Sequence, residues 1–306
     1  MIFFKELQER EKVIEAEFDR LIDIAYKNQT HPGDLLLMHV NGFFDLYTVK
    51  SNAFYNENKS LYSIGHSNEG LSEITDYKFI NQYREKNVSS VTREEYLKHF
   101  EWSEERANEI SEFQAMEEIG IHSEMSIYIK VWEADMIIKR LYQFVRLING
   151  EPYDWNFKLK KTHKDKKNTG SKITVLTKEI RDRIKDHFEC IFNLFKNTYK
   201  PQIRNSIAHS NYSMMGRHIQ LNNFVENDPF AQIEALSFDE WIDIFHDTMI
   251  LYNQYIRLDN VINKFYGNIA MTHNNEMQVR IIDNNGKQSF LMLTYRPEWN
   301  DWVPKN

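Results

Sequence analysis

Cysteine is almost missing: Cys190 is the only one in 306 residues. That excludes an intramolecular disulfide and a cysteine-built metal site, and makes a reducing cytoplasm the expected compartment. Glycine and proline are scarce, at 10 and 6, which argues against a loop-rich or all-β chain and for long helices with short connections. No run approaches the roughly 20 apolar residues that span a bilayer. The opening Met1-Ile2-Phe3-Phe4-Lys5-Glu6 turns charged at once, unlike a signal peptide. A soluble protein with no membrane partner is expected. No glycine-rich phosphate loop occurs, which disfavours nucleotide hydrolysis. The histidines lack metal-ligand spacing with carboxylates or each other, so neither metal nor cofactor is expected.

Aromatics are plentiful at 14%, which suits thick helical cores and surfaces on which bases stack. Net charge is −7, unevenly spread. Residues 1–120 hold 13 Lys and Arg against 23 Asp and Glu, whereas 121–306 hold 25 against 22. The acid sits in the first part and the second is mildly basic.

Apolar residues recur at helical spacing from Phe4 to about Lys27, and again after the Pro32-Gly33-Asp34 break, from Leu35 to Leu46. Residues 51–75, rich in Asn, Ser and Gly, read as a loop. Thr92 and Glu95 have capping-box spacing and open a charged helix expected to reach Glu118, with Gly120 closing it. One helix is expected from Ser123 to about Asn149 and another from Val175 to Tyr199. Pro201 restarts a short helix in its first turn. Residues 216–236 read as a small β-insertion with strand pieces His218–Leu221 and Gln232–Ala235. Ser237 and Glu240 launch a further helix through Phe265, and Val279–Leu291 reads as a β-hairpin on an Asn-Gly turn. The resulting segments are an acidic helical region 1–120, a helical domain 121–267 and a C-terminal hairpin and tail, 268–306.

The short helix after Pro201 carries Arg204-Asn205-Ser206-Ile207-Ala208-His209. Its Arg-x(4–6)-His spacing is weak alone, since Arg93/His99 and Arg181/His187 match too. Arg204 is singled out by Asn205 directly after it, by Ala208 before His209, and by its place between two apolar helices. With that context the motif resembles the active-site motif of HEPN ribonucleases, and the resemblance covers roughly residues 121–267.

The resemblance implies a mainly α, HEPN-like helical bundle carrying small β-hairpin additions. It also implies a metal-independent endoribonuclease, of the kind found in phage defence, toxin–antitoxin pairs or stress responses. RNA supplies its own nucleophile, the 2′-OH, so cleavage needs proton transfer and charge stabilisation. A histidine exchanges protons near neutrality, and an arginine stays charged and grips phosphate oxygens. His209 is thus expected as general acid/base and Arg204 as phosphate clamp. Asn205 would orient the phosphate or hold the histidine. Positions five apart on an ideal helix point about 140° from each other, so one copy makes a poor compact site unless the short helix bends near Pro201; the family resolves this by dimerising, and the resemblance therefore implies a homodimer. The family also draws a polar residue from its first helix, for which Glu133, Asp135 and Lys139 are all candidates. Its modifiable tyrosine lies two residues after the histidine. Here Tyr212 is three residues on, which departs from that pattern but leaves it able to stack on a base.

Lys158, Lys160, Lys161, Lys164, Lys166 and Lys167 crowd one loop and are expected to contact RNA, the alternative being a solvated loop. The acidic first part is expected to meet an antitoxin or regulatory protein. The competing reading is a catalytically inactive HEPN-like binding or regulatory module.

Overall fold

The computed structural model describes residues 1–40, 69–155, 157, 159, 170–282 and 286–305. Along the chain come β1 (Ile2–Phe3), α1 (Phe4–Asn28), α2 (Asp34–Val40), α3 (Glu69–Asn87), β2 (Val88–Ser89) and α4 (Arg93–Leu97). The 3-10 turns Lys98–Phe100 and Glu104–Arg106 lead to α5 (Ala107–Glu133) and α6 (Asp135–Ile148). Lys172–Thr174, a π-helical run Val175–Arg181 and Asp182–Ile184 precede α7 (Glu189–Thr198) and α8 (Pro201–Ala208). The strands β3 (Tyr212–Met215), β4 (His218–Leu221) and β5 (Ala235–Ser237) come before α9 (Phe238–Met271). Last come β6 (Glu276–Ile282), β7 (Gln288–Arg296) and β8 (Asp301–Pro304). The chain is mainly α, as the scarcity of Gly and Pro implies. No helix among the described residues is long and apolar enough to cross a membrane.

Local signals hold where they act over a few residues. Thr92 and Glu95 form a reciprocal capping box at α4. Ser237 and Glu240 do the same before α9, with Glu240 accepting from the Ser237 N–H at 2.7 Å. Pro201 occupies the first turn of α8 and opens that helix.

Several expected boundaries shift. The loop assigned to 51–75 is helical from Glu69, while residues 41–68 lie outside the described residues. The single helix expected over 92–118 is α4, two 3-10 turns and the start of α5. Gly120 does not close it. α5 runs through that glycine because Ile110, Ile121, Met125, Tyr128 and Trp132 bury one continuous face, outweighing about 1 kcal/mol of glycine cost. The helix expected over 123–149 breaks at Ala134, whose backbone is extended at ψ 105. The helix expected over 175–199 divides into the π-helical run and α7. The β-insertion starts earlier than expected, at Tyr212, and its last strand is Ala235–Ser237. β6 and β7 pair antiparallel as the hairpin requires; residues 283–285 of its turn lie outside the described residues.

Met1–Glu15, Asp76–Glu133 and Asn193–Tyr252 form one compact unit. Its core is aromatic: Trp132, Trp241, Tyr128, Phe3, Phe195, Phe238 and Phe245 are fully buried. Trp132 packs on Phe195 and Tyr199 with ring centroids 6.1 and 5.1 Å away, and Tyr128 lies 5.6 Å from Trp241. These contacts fasten α5 to α7, to the segment before α8 and to α9. Glu124, fully buried, accepts from Tyr83 Oη at 2.7 Å and Trp241 Nε1 at 2.8 Å, so its charge is met by donors. β3, β4 and β5 make an antiparallel sheet in that order.

The second unit comprises Ala16–Thr75, Ala134–Phe192 and Asn253–Asn306. Here α6 is buried along most of its length, Arg140 included. Arg140 reaches Asp259 at 3.1 Å, Tyr255 Oη at 2.8 Å and the His39 carbonyl at 2.7 Å. β6, β7 and β8 form its antiparallel sheet.

Candidate functional site

The described residues that hydrogen-bond to the Arg204–His209 motif lie in the first unit. α5 sets the stage. Tyr128 Oη donates to the Thr198 carbonyl at 2.9 Å and accepts the Lys200 N–H at 3.4 Å, fixing the chain where α8 begins. On the other flank Gln202, 5% exposed, donates to the Ile233 carbonyl at 2.7 Å and accepts the Ile233 N–H at 2.9 Å. The short helix is held from two directions, so its side chains start from defined positions.

Arg204 is half-buried and its Nε donates to Glu133. Its Nη1 donates to Asn205 Oδ1 at 2.6 Å. The bond to Glu133 favours the charged guanidinium against the cost of burial, so its pKa is raised. Arginine has five N–H donors in a planar fork. Glu133 takes the Nε hydrogen and Asn205 one of Nη1. Among the described residues nothing takes the two on Nη2. With the second hydrogen of Nη1 they make three donors left for an incoming acceptor.

Of the three first-helix candidates, Glu133 is the one that meets Arg204. Asp135 pairs with Lys172 Nζ at 2.7 Å, and Lys139 is buried on α6. Asn205 turns out to hold the arginine. No hydrogen bond joins it to the His209 ring.

His209 caps the C-terminus of α8 (φ −105, ψ 8), and its N–H donates to the Asn205 carbonyl. It is exposed, and among the described residues its ring has no hydrogen-bond partner. The chain beyond it closes as a Schellman motif. The Asn211 N–H bonds to the Ser206 carbonyl at 2.8 Å and the Ser210 N–H to the Ile207 carbonyl at 3.1 Å. Ser210 takes φ 52, a left-handed conformation usually given to glycine. Ser206, fully buried, donates its hydroxyl to the Asn211 carbonyl. The turn carrying His209 is thereby pinned from below.

Three residues on, Tyr212 opens β3 and meets His122 of α5. Tyr212 Oη and His122 Nδ1 are 3.0 Å apart, with ring centroids at 5.9 Å. The motif's spacing pointed to Tyr212. Nothing pointed to His122, because 90 positions separate the two and no local pattern reports such a contact.

The rival pairs are committed elsewhere. Arg93 binds Glu6 and reaches Asp243 at 2.7 Å, while His99 lies against the Phe113 ring at 4.7 Å. Arg181 bonds to its neighbour Asp182, and His187 lies 3.3 Å from Asn149 Oδ1. A cavity of about 370 Å³ in the first unit, lined by Tyr83, Tyr96, His99 and Phe113 among others, includes no motif residue. Lys158, Lys160, Lys161, Lys164, Lys166 and Lys167 lie outside the described residues. Among the described residues no group of three or more His, Cys, Asp or Glu is arranged to hold a metal ion.

Compared with known proteins, the chain matches no family model, no curated protein and no solved structure. Whatever is inferred of its activity rests on its own residues and on the motif they form.

Proposed function

We propose that this chain is an endoribonuclease of the HEPN type, cleaving RNA through attack of a 2′-OH on the adjacent phosphorus. The observation that carries this is the pairing of a tethered arginine with an unbonded, exposed histidine at the far end of one short helix. His209 removes the 2′-OH proton as the new P–O bond forms. A proton returns to the departing 5′-oxygen as its bond to phosphorus breaks. The products are a 2′,3′-cyclic phosphate and a 5′-hydroxyl. Arg204 stabilises the charge that builds on the non-bridging oxygens. Two proton transfers suit two histidines, and a homodimer supplies them. The setting implied by the motif is phage defence, a toxin–antitoxin pair or a stress response, with an antitoxin or regulator meeting the acidic N-terminal part.

The test is cleavage of RNA by purified protein in EDTA, with Arg204→Ala and His209→Ala as controls. Loss of cutting in both variants, with folding retained, supports the assignment. Equal cutting by wild type and variants sinks it. The Glu133–Arg204 pair also favours a second reading, because an ion pair can be purely structural: a catalytically inactive HEPN-like module. That reading requires no cleavage of any RNA and a stable protein partner in pull-downs.

A further inference from the structure

His122 and Glu133 lie on the same helix, eleven positions apart. Three turns of α-helix take about 10.8 residues, so the two side chains share one face, about 16 Å apart along the axis. Glu133 holds Arg204, and His122 meets Tyr212. The stretch Arg204–Tyr212 is therefore anchored on that face at both ends, with exposed His209 between the anchors. One end offers the free N–H donors of a guanidinium. The other offers an aromatic ring already fixed through its hydroxyl.

A ring ordered beforehand costs less to stack upon, because its rotamer freedom is not lost on binding. Bases within a duplex are stacked on each other and paired, so their faces are closed to a protein ring. An unpaired base leaves its face open. We infer that His122 and Tyr212 form the base-receiving end of this site, and that its ligand is single-stranded RNA presenting an unstacked base. His122 is a positioning residue here, acting through Tyr212. The inference rests on the proposed ribonuclease site for the phosphate end, but its own test needs no cleavage.

The experiment measures affinity of the full chain for a 2′-O-methyl oligonucleotide, which cannot be cut, as a single strand and as a duplex. The single strand is expected to bind at least about tenfold tighter, and Tyr212→Ala to lose about tenfold or more. Tyr212→Phe and His122→Ala each remove the same hydrogen bond and should lose about two- to tenfold. Combined, they should lose no more than either alone, and His122→Asn, which keeps a polar atom near the Nδ1 position, should recover most of the loss. On cleavable RNA, His122→Ala should raise KM and leave kcat unchanged. Equal affinity for duplex, full affinity in Tyr212→Ala, or additive losses in the double variant would overturn the inference. So would absence of binding. A wild type that cuts RNA while His122 and Tyr212 prove irrelevant keeps the ribonuclease reading and overturns this one. A wild type that binds single strands through Tyr212 without cutting does the reverse.

Discussion

Glu133 accepts the Nε hydrogen of Arg204 from the last residue of α5, one position before the backbone turns extended at Ala134. The carboxylate thus sits at the end of a rigid element, while the arginine it holds is on a short helix pinned by Tyr128 and Gln202. Neither partner is fully buried, with side chains 21% and 26% exposed. Glu133 matters more for where the guanidinium points than for stability. It also offsets the positive charge of Arg204 at the site proposed to meet RNA phosphate.

Glu133→Ala and Glu133→Gln separate those two effects. Alanine removes the acceptor, so Arg204 loses its orientation. We expect kcat/KM for RNA to fall about tenfold and stability to fall by about 1 kcal/mol. Glutamine keeps an acceptor and removes the negative charge. We expect it to bind uncuttable RNA more tightly than wild type, with a steeper salt dependence. Urea unfolding and binding at several salt concentrations report both. Glutamine behaving no better than alanine would show that orientation is not what Glu133 supplies.

Ser210 occupies a left-handed position at φ 52 directly after His209. A side chain there costs about 1 kcal/mol, which glycine avoids at some expense in chain entropy. Ser210→Gly is therefore expected to raise stability by about 0.5 kcal/mol. Ser206→Ala acts oppositely, since it removes the buried hydroxyl that bonds to the Asn211 carbonyl. That loss is expected to cost about 1 kcal/mol and to lower cleavage by loosening the turn under His209. Urea midpoints for the two variants should move in opposite directions. Movement in the same direction contradicts the account of the turn.

The same turn marks the boundary of what the sequence discloses. Arg204, Asn205 and His209 are legible because their chemistry and spacing are local. The caps at Thr92 and Ser237 and the start at Pro201 are legible for the same reason. The Schellman turn is not, because Ser replaces the glycine that signals it. The break at Ala134 carries no Gly, Pro or capping side chain, so nothing local marks it. Gly120 misleads in the other direction, since burial of its neighbours overrides its weak propensity. Glu133, Asp135 and Lys139 are equal candidates in the sequence, and only the fold shows that Glu133 is the one that meets Arg204. His122 emerges only in three dimensions.

Glu6 gives the first unit a pH signature. His246, its Nδ1 3.8 Å away, and then Arg93 hold the Glu6 carboxyl down at about 2, against burial, which pushes it up. The ordinary value is 4.5. A carboxyl whose pKa is lowered by folding binds fewer protons folded than unfolded. Its contribution is whole above 4.5 and drains away as pH falls toward 2. Glu6→Gln should be less stable than wild type at neutral pH and should lose less on acidification, so the two curves converge at the acid end. Urea midpoints measured across that range test this. Parallel curves would mean that Glu6 is not the group responsible.

Arg204 lies within α8 and His209 at its end, five positions on, and on ideal helical geometry two such side chains diverge by about 140°. A single chain then offers one histidine for two proton transfers. If two copies share a cleft and each histidine takes one transfer, a mixed pair of wild type and His209→Ala holds one histidine and should cut poorly. Subunit exchange before the assay, followed by cleavage measured at several mixing ratios, should show activity falling faster than the wild-type fraction. Sedimentation of the wild type should give twice the chain mass. A monomeric wild type that cleaves RNA, or activity that follows the wild-type fraction in proportion, would confine the chemistry to one chain and leave His209 to serve as base and acid in turn.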